Sequence, residues 1–395
     1  MPRKNAAAPQ MSAMLTPRPG NTGRPGLALL GSLCLFLSAV EYIIPKPLPF
    51  MRIGLANLPL LLALDIFGPA DFFLLAAIKV LGQGILSGSL FSYVFLFSLA
   101  GTFSSAALMY GMRKLLGRKY CGFAGIGCAG AMTSNGVQLL LAGYLIFGAS
   151  LRYLVPPFLA SGFITGIALG VLCEIFCRSS RWYAMHIGAR NGTAIPAVQA
   201  AGDSCSAPDM TSNGTAQNRW EERRIRRRER WHKMFNGPLI FAAGGVLAVT
   251  LIFSPSLPVC AAVFSVLCVL AWLSGTKTNA TLTLLVMAGI VFFNLLAPHG
   301  KVLFELGAVR VTQGSLFAGL RKALTLEGLV LLSGACVKSD MRLPGKFGLL
   351  LADTFTLLEK MRERKNTIRR GRIIEGIDRL MLELEANGQG TRNNM

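Results

Sequence analysis

The most constraining feature of this sequence is a succession of apolar segments that approach the length of a bilayer crossing. A membrane helix needs about 17–25 mostly apolar residues, and the chain of 395 residues is 52% hydrophobic but only 15% charged. Candidate segments lie at about 26–44, 53–67, 70–87, 89–110, 123–148, 151–176, 237–253, 256–273, 279–297 and 323–337. The sequence therefore predicts an all-α, polytopic membrane protein, in which a six-helix bundle precedes a second, four-helix membrane domain.

The charge pattern predicts how the chain is oriented. The formal net charge is +21, and a soluble nucleic-acid-binding protein could be equally basic, but it could not also carry these apolar segments. Lys and Arg are concentrated in 1–26, 111–120 and 178–233, and such clusters mark the cytoplasmic side of a membrane protein. We therefore expect both termini in the cytoplasm, lipid rather than nucleic acid as the surrounding partner, and six crossings before residue 177. The segments at 53–67 and 70–87 are short, which indicates tilted or re-entrant helices.

Composition divides the chain into five parts. A polar segment rich in Ser, Asn and Gly separates the two membrane domains, and it ends in a basic run at 219–233 that favours anionic headgroups over nucleic acid. Near the C-terminus, apolar residues recur at helical spacing in two segments too charged to span, at 343–361 and 366–386. The predicted parts are a cytoplasmic tail (1–26), a first membrane domain (27–176), a cytoplasmic linker (177–236), a second membrane domain (237–342) and cytoplasmic amphipathic helices with a tail (343–395).

A lysine inside an apolar segment is the clearest functional signal. Lys79 follows the run FFLLAAI, so in a spanning helix it lies well inside the hydrocarbon. An ammonium there costs about 2.5–3.5 kcal/mol on insertion scales and normally faces a cavity or a partner. Two interpretations stay open: the lysine contacts an anionic or polar substrate, or it snorkels or pairs with Asp65 or Asp71. Asn57 and Gln83 are polar residues of the same region.

A second polar pair lies in the fifth apolar segment. The motif SNGVQ places Asn135 and Gln138 three residues apart, on one face of a helix. Such side chains either form hydrogen bonds between helices or contact a substrate, and the sequence does not decide between these roles. With Asn57, Lys79 and Gln83 they form the predicted substrate site of the first domain.

No motif for catalysis, for a metal or for a cofactor is visible. The phosphate-binding loop of an ATPase is missing, so ATP hydrolysis would have to come from another chain. A prenyl-transfer enzyme needs clustered acidic residues to hold magnesium, and no two aspartates of this sequence lie within five residues of each other. The three histidines are scattered and the cysteines lie mostly in apolar segments. We therefore predict that the chain is not an enzyme and uses no cofactor, with a subunit of prenyl diphosphate synthesis as the alternative.

The segment PLPFMRIGLANLPLLLALDIFG, followed by AAIKVLGQG and SNGVQLLLA, resembles the bacterial Gx transporter family. That family is often labelled heptaprenyl diphosphate synthase component I, and the resemblance covers about residues 27–176. It implies a six-helix substrate-binding S component of an energy-coupling factor transporter in the inner membrane. It also implies that the loop Pro45–Arg52 lies outside and closes over a vitamin-sized or isoprenoid-precursor-like ligand, with Arg52 among the binding residues.

The second half, about 237–386, resembles the transmembrane T component of the same transporters. In those proteins an acidic motif and a following basic helix meet the ATPase subunits. The segment LLEKMRERKNTIRRGR places Glu359, Arg369, Arg370 and Gly371 in similar relative positions, although Arg369 stands where the T components have alanine. The resemblance implies ABC-type ATPase subunits as partners. We expect the two amphipathic helices to lie on the cytoplasmic surface and to dock such a partner through these residues.

Overall fold

The structure, a computed structural model, describes residues 25–43, 54–190, 237–253, 256–274, 280–297, 300–306, 309–336, 345–364 and 373–393. Almost all of them are helical, so the all-α prediction is confirmed. The exception is an antiparallel hairpin in the second half, formed by Val302–Leu306 and Val309–Thr312. Within these ranges, four helices are long and apolar enough to cross a membrane: Pro69–Ser87, Tyr93–Tyr120, Leu151–Ser179 and Leu257–Ser274.

The first domain contains six helices in the order that the sequence predicts. They are α1 (Pro25–Ile43), α2 (Leu58–Ile66), α3 (Pro69–Ser87), α4 (Tyr93–Tyr120), α5 (Phe123–Ala142) and α6 (Leu151–Ser179). A short 3-10 turn, Leu55–Asn57, precedes α2. The nine residues of α2 extend only about 13 Å at 1.5 Å per residue, well short of a hydrocarbon core of roughly 30 Å. This helix is therefore too short to cross a bilayer by itself, in agreement with the short apolar segment.

Helix α1 is the centre of the first domain's core rather than a helix facing lipid. Its side chains are buried around its circumference, and Leu30, Cys34 and Leu35 are fully inaccessible. Helices α2 and α3 cover one part of its surface, and the two C-terminal helices of the chain cover another. A helix that is apolar all round is buried on every side, and here the chain itself provides the cover.

Helices α5 and α6 approach each other closely along a stripe of glycines. Gly162, Gly166 and Gly170 recur every four residues on α6 and therefore share one face. A Cβ atom added at Gly170 would lie 2.4 Å from the carbonyl oxygen of Phe123, and one at Gly166 would lie 2.9 Å from the Cα atom of Cys128. Small residues at this spacing let membrane helices pack backbone to backbone, which holds the polar side chains of α5 against α6.

The second domain is a four-helix unit arranged around its last helix. It comprises α8 (Gly237–Phe253), α9 (Leu257–Ser274), α10 (Ala280–Leu295) and α11 (Gln313–Cys336). Helix α11 packs against all three others, and Ala323 and Leu329 in its centre are fully buried. The sequence predicts an amphipathic segment at 312–322 and a separate crossing at 323–337, but the structure joins them into one helix because no proline or glycine turn interrupts them.

The predicted linker is wrong at its N-terminal end. Helix α6 runs to Ser179, and another helix, α7 (Arg181–Arg190), packs back onto the first domain with Trp182 fully buried. Its aromatic residues, Trp182 and Tyr183, give it an apolar surface that the polar composition of 177–236 conceals. Residues 191–236, which include the basic run at 219–233, lie outside the described residues.

The two amphipathic helices near the C-terminus pack against the first domain. They are α12 (Gly345–Glu363) and α13 (Ile373–Asn393), so the second begins seven residues later than predicted. Buried side chains from both helices join the core that surrounds α1: Leu350, Leu351, Leu358, Met361, Ile377, Leu380, Met381 and Leu384. The prediction that these stripes bury against another protein is therefore wrong. The sequence shows that a stripe must be buried, but not which surface covers it.

Polar contacts fix this packing. The hydroxyl of Ser32 on α1, which also contacts the carbonyl oxygen of Leu29 at 2.7 Å, lies 3.6 Å from the sulfur of Met361 on α12. The carboxylate of Asp378 on α13 accepts hydrogen bonds from the Ser180 hydroxyl at 2.5 Å and from the backbone N–H of Trp182 at 3.1 Å. Since the first N–H groups of a helix have no partner within it, Asp378 caps the N-terminus of α7 from another helix.

Candidate functional site

A polar cavity lies inside the first domain, between the 3-10 turn and helices α1 to α6. Five of the six binding residues predicted in the first membrane domain line it together, and the sixth, Arg52, lies outside the described residues. Asn57 comes from the turn, Lys79 and Gln83 from α3, and Asn135 and Gln138 from α5. Polar side chains within a lipid-embedded bundle must find partners inside the protein, and this fold collects them around one space.

Lys79 is 5% exposed, and its ammonium donates a hydrogen bond to the side-chain oxygen of Asn57. Gly54 has a φ of 87°, in the left-handed region that favours glycine, and its carbonyl accepts from the backbone N–H of Asn57 at 2.8 Å. This turn is the Gly-Leu-Ala-Asn part of the motif seen in the sequence. The local backbone therefore directs Asn57 toward the lysine.

The structure assigns one of the carboxylates considered for Lys79 to another partner. Asp65 binds Arg113 of α4 through two parallel hydrogen bonds of 2.7 and 2.6 Å, and it accepts a third from the Tyr183 hydroxyl at 2.9 Å. The guanidinium of Arg113 also lies 4.7 Å above the ring of Phe123. This network ties α2, α4 and α7 together at one end of the bundle, outside the cavity. Both carboxylate oxygens of Asp65 accept hydrogen bonds, and the contact with Arg113 is bidentate, so the network has a structural role.

Gln83 follows Lys79 by one helical turn and lines the same cavity. Its side-chain oxygen is buried and has no hydrogen-bond partner among the described residues. A buried acceptor without a donor costs about 1–3 kcal/mol, so unsatisfied groups of this kind in a native fold require an explanation. A donor from a ligand or from water in the cavity would satisfy this one.

The two predicted residues of α5 differ in their contacts. Asn135 donates from its amide nitrogen to the carbonyl oxygen of Phe158 on α6 at 3.1 Å, so it forms the interhelical bond that the sequence left open. Gln138 donates to the hydroxyl of Ser134 on its own helix at 3.0 Å. Gly101 on α4 makes room for it, since a Cβ atom there would lie 2.8 Å from the Gln138 amide nitrogen. Both side chains nevertheless line the cavity.

Sequence reasoning missed several residues of this cavity. Ser98, Thr102 and Ser105 of α4 are buried and line it as a row of hydroxyls. Their spacing of four and three residues in an apolar helix is a signal that could have been found. Glu41, at the end of α1, also lines the cavity and is 6% exposed. Ser134 of α5 and Thr165 of α6 complete the polar wall.

The cavity is small in this conformation. The space that the centre of a water molecule can occupy is about 60 Å³. A cavity of this size holds a few water molecules or a compact ligand. A vitamin-sized ligand would require the surrounding helices to move.

The remaining predicted residues lie elsewhere. Arg52 and the loop 45–52 are outside the described residues, as are Arg369, Arg370 and Gly371. Glu359 is exposed on α12. Among the residues that the structure describes, no three His, Cys, Asp or Glu side chains come together as they would around a metal ion.

Comparison with known families gives two matches. The family model described as heptaprenyl diphosphate synthase component I matches residues 30–176, so the predicted resemblance of the first domain is confirmed. A model described only as a domain of unknown function matches residues 238–339, and it leaves the T-component resemblance a prediction. No curated protein matches the chain, and no solved structure matches it.

Proposed function

We propose that the first domain binds a small molecule from outside the cell and that the chain is a membrane component of its uptake. The observation that carries this proposal is the cavity: a buried lysine, several amides and a row of hydroxyls gathered inside a bundle of apolar helices. A charged or strongly polar group at membrane depth marks a substrate or ion pathway by default. The resemblance of residues 27–176 to S components supports the same function.

Separate ATPase subunits would supply the energy. The second membrane domain and the C-terminal helices resemble a T component, whose basic segment meets those subunits, and Glu359 is exposed where such a partner could reach it. We place the protein in the bacterial inner membrane with both termini in the cytoplasm, from the distribution of Lys and Arg. In this proposal the chain performs no catalysis and needs no cofactor.

A second candidate function rests on the family's description: a membrane subunit of heptaprenyl diphosphate synthesis. The two candidates differ in what the purified protein does with allylic and isopentenyl diphosphates. A transport component gives no product from them. Turnover by the purified chain without an added partner would contradict the transport proposal.

The binding proposal is tested through Lys79. Small molecules that co-purify with the wild-type protein are identified by mass spectrometry and compared with those on Lys79→Met. We expect the bound compound to be lost in this variant at nearly unchanged expression. Lys114→Met is the matched control, because Lys114 is exposed on α4 and outside the cavity. Equal ligand content in wild type and Lys79→Met would overturn the assignment.

A further inference from the structure

We infer that the ligand of this cavity is a small, non-aromatic polar molecule without net charge, such as a polyol or a zwitterion, and not an isoprenoid diphosphate. The inference rests on the proposed binding function and narrows its substrate class. It follows from three properties of the cavity wall: its charge balance, the chemistry of its surface and its unsatisfied hydrogen-bond acceptor.

The first property is charge. Among the described residues that line the cavity, Lys79 carries the one positive charge and Glu41 the one negative charge, so the formal charges of this described part of the wall cancel. A diphosphate carries several negative charges, and sites that hold such groups supply several cations or a metal ion. Here a single ammonium would face those charges with a buried carboxylate in the same cavity. Since unpaired buried charge is strongly unfavourable, this wall favours a neutral or zwitterionic ligand.

The second property is the surface of the wall. More than half of the described lining residues have polar side chains, and none of those lining residues is aromatic. An isoprenoid chain is held by continuous apolar surface, and flat heterocycles are held by aromatic rings. The apolar side chains present, such as Leu61, Met109 and Leu169, are too few to enclose such a chain. The wall thus matches an aliphatic molecule rich in hydrogen-bonding groups.

The third property is the buried oxygen of Gln83, which accepts no hydrogen bond from the residues that the structure describes. Ser98, Thr102 and Ser105 face the same space, and hydroxyls both donate and accept. A ligand with hydroxyl or ammonium groups can donate to Gln83 and exchange hydrogen bonds with this row. A diphosphate oxygen is only an acceptor, so it can bind the amide nitrogen of Gln83 but cannot donate to the amide oxygen. The size of the cavity, about 60 Å³ for water centres, also fits a compact ligand.

The test is calorimetric titration of the purified full-length protein with three probes: erythritol, which is neutral, L-serine, which is a zwitterion, and isopentenyl diphosphate. We expect erythritol or serine to bind and isopentenyl diphosphate not to bind. Gln83→Met should weaken binding of the neutral or zwitterionic probe about three- to tenfold, as loss of one hydrogen bond predicts. The matched control is Gln313→Met, since Gln313 is exposed at the start of α11.

Binding of isopentenyl diphosphate, or binding of none of the three probes, overturns the inferred substrate class. Unchanged affinity in Gln83→Met overturns the role of that oxygen. These failures are distinct from failure of the proposed function, which is decided by the ligand content of Lys79→Met. A protein that lost its co-purified ligand in Lys79→Met but bound only the diphosphate would retain its binding function and refute the inference.

Discussion

The ammonium of Lys79 donates a hydrogen bond to the side-chain oxygen of Asn57, and this bond joins the middle of α3 to the turn that precedes α2. The two residues are 22 positions apart in the sequence. Because the bond lies at the wall of the cavity, it both satisfies a buried charge and positions two of the predicted binding groups. A ligand that contacts one of them alters the surroundings of the other.

Removing Asn57 should therefore lower the stability of the first domain. Asn57→Ala withdraws a hydrogen bond from a buried ammonium, which costs about 1.5–3 kcal/mol. Thermal unfolding in detergent measures this loss. An Asn57→Ala protein as stable as wild type would show that the bond is unimportant for folding.

Gly170 should not tolerate a side chain. In Gly170→Ala the new Cβ atom would meet the backbone of Phe123 and Ala124 at 2.4 Å, so α5 and α6 must separate. Overpacking of this kind costs about 1–3 kcal/mol or more, and we expect a lower unfolding temperature. Gly136→Ala on α5 is the control, because nothing lies within 4 Å of its added Cβ atom. Equal effects at the two positions would contradict the close packing of the glycine stripe.

The contact between α7 and α13 should depend on pH through His186. Its ring nitrogen Nε2 lies 3.3 Å from Oε1 of Glu385, and the other carboxylate oxygen, Oε2, accepts from the indole N–H of Trp182 at 2.6 Å. Burial alone would lower the pKa of His186, but the hydrogen bond and charge of Glu385 outweigh it, so the pKa is raised above 6.5.

A raised pKa in the folded state means that the contribution to stability is fully present below about pH 6.5 and is lost as the pH rises through the folded pKa. Amide hydrogen exchange in α13 should therefore be better protected at pH 6 than at pH 8, after correction for the intrinsic exchange rate. His186→Gln should remove this difference. A pH effect of equal size in the variant would assign it to another group.

The charge pattern predicts that the linker lies in the cytoplasm. In a cysteine-free background, Ser206→Cys should not react with an impermeant thiol reagent in intact cells, because the Lys/Arg excess around it marks the cytoplasmic side. Leu48→Cys, in the loop predicted outside, is the positive control. Strong labelling at 206 without labelling at 48 would show that the chain has the opposite orientation in the membrane.

The coupling prediction concerns the basic segment between α12 and α13. Arg369→Glu with Arg370→Glu should release an ATPase partner in detergent pull-downs without lowering membrane insertion, because charges at the rim of a docking surface set its partner. Lys114→Glu, on the exposed surface of α4, is the control for an altered net charge. If no nucleotide-binding subunit is recovered with the wild-type protein in the pull-down, the coupling assignment fails and the binding proposal remains.

The sequence by itself determined the helices of the membrane domains, their order and five of the eleven polar residues that line the cavity. The physical reason is that lipid offers no hydrogen-bond partners, so apolar length defines the helices and polar residues within them must face the interior. Lys79, Gln83 and Gln138 could be found in this way. The hydroxyl row of α4 obeys the same rule and could have been found by its spacing.

Only the tertiary structure decided which surfaces meet. An apolar stripe on α12 or α13 is compatible with lipid, with another protein or with this chain, and the fold buries both against the core around α1. Likewise, no local sequence pattern predicts that Glu41 lies beside residues of α3 to α6, or that Asp378 lies at the start of α7. Helical periodicity predicts how much of a helix surface must be buried. Which other segment covers that surface depends on which distant parts of the chain pack together with the fewest voids and unpaired polar groups.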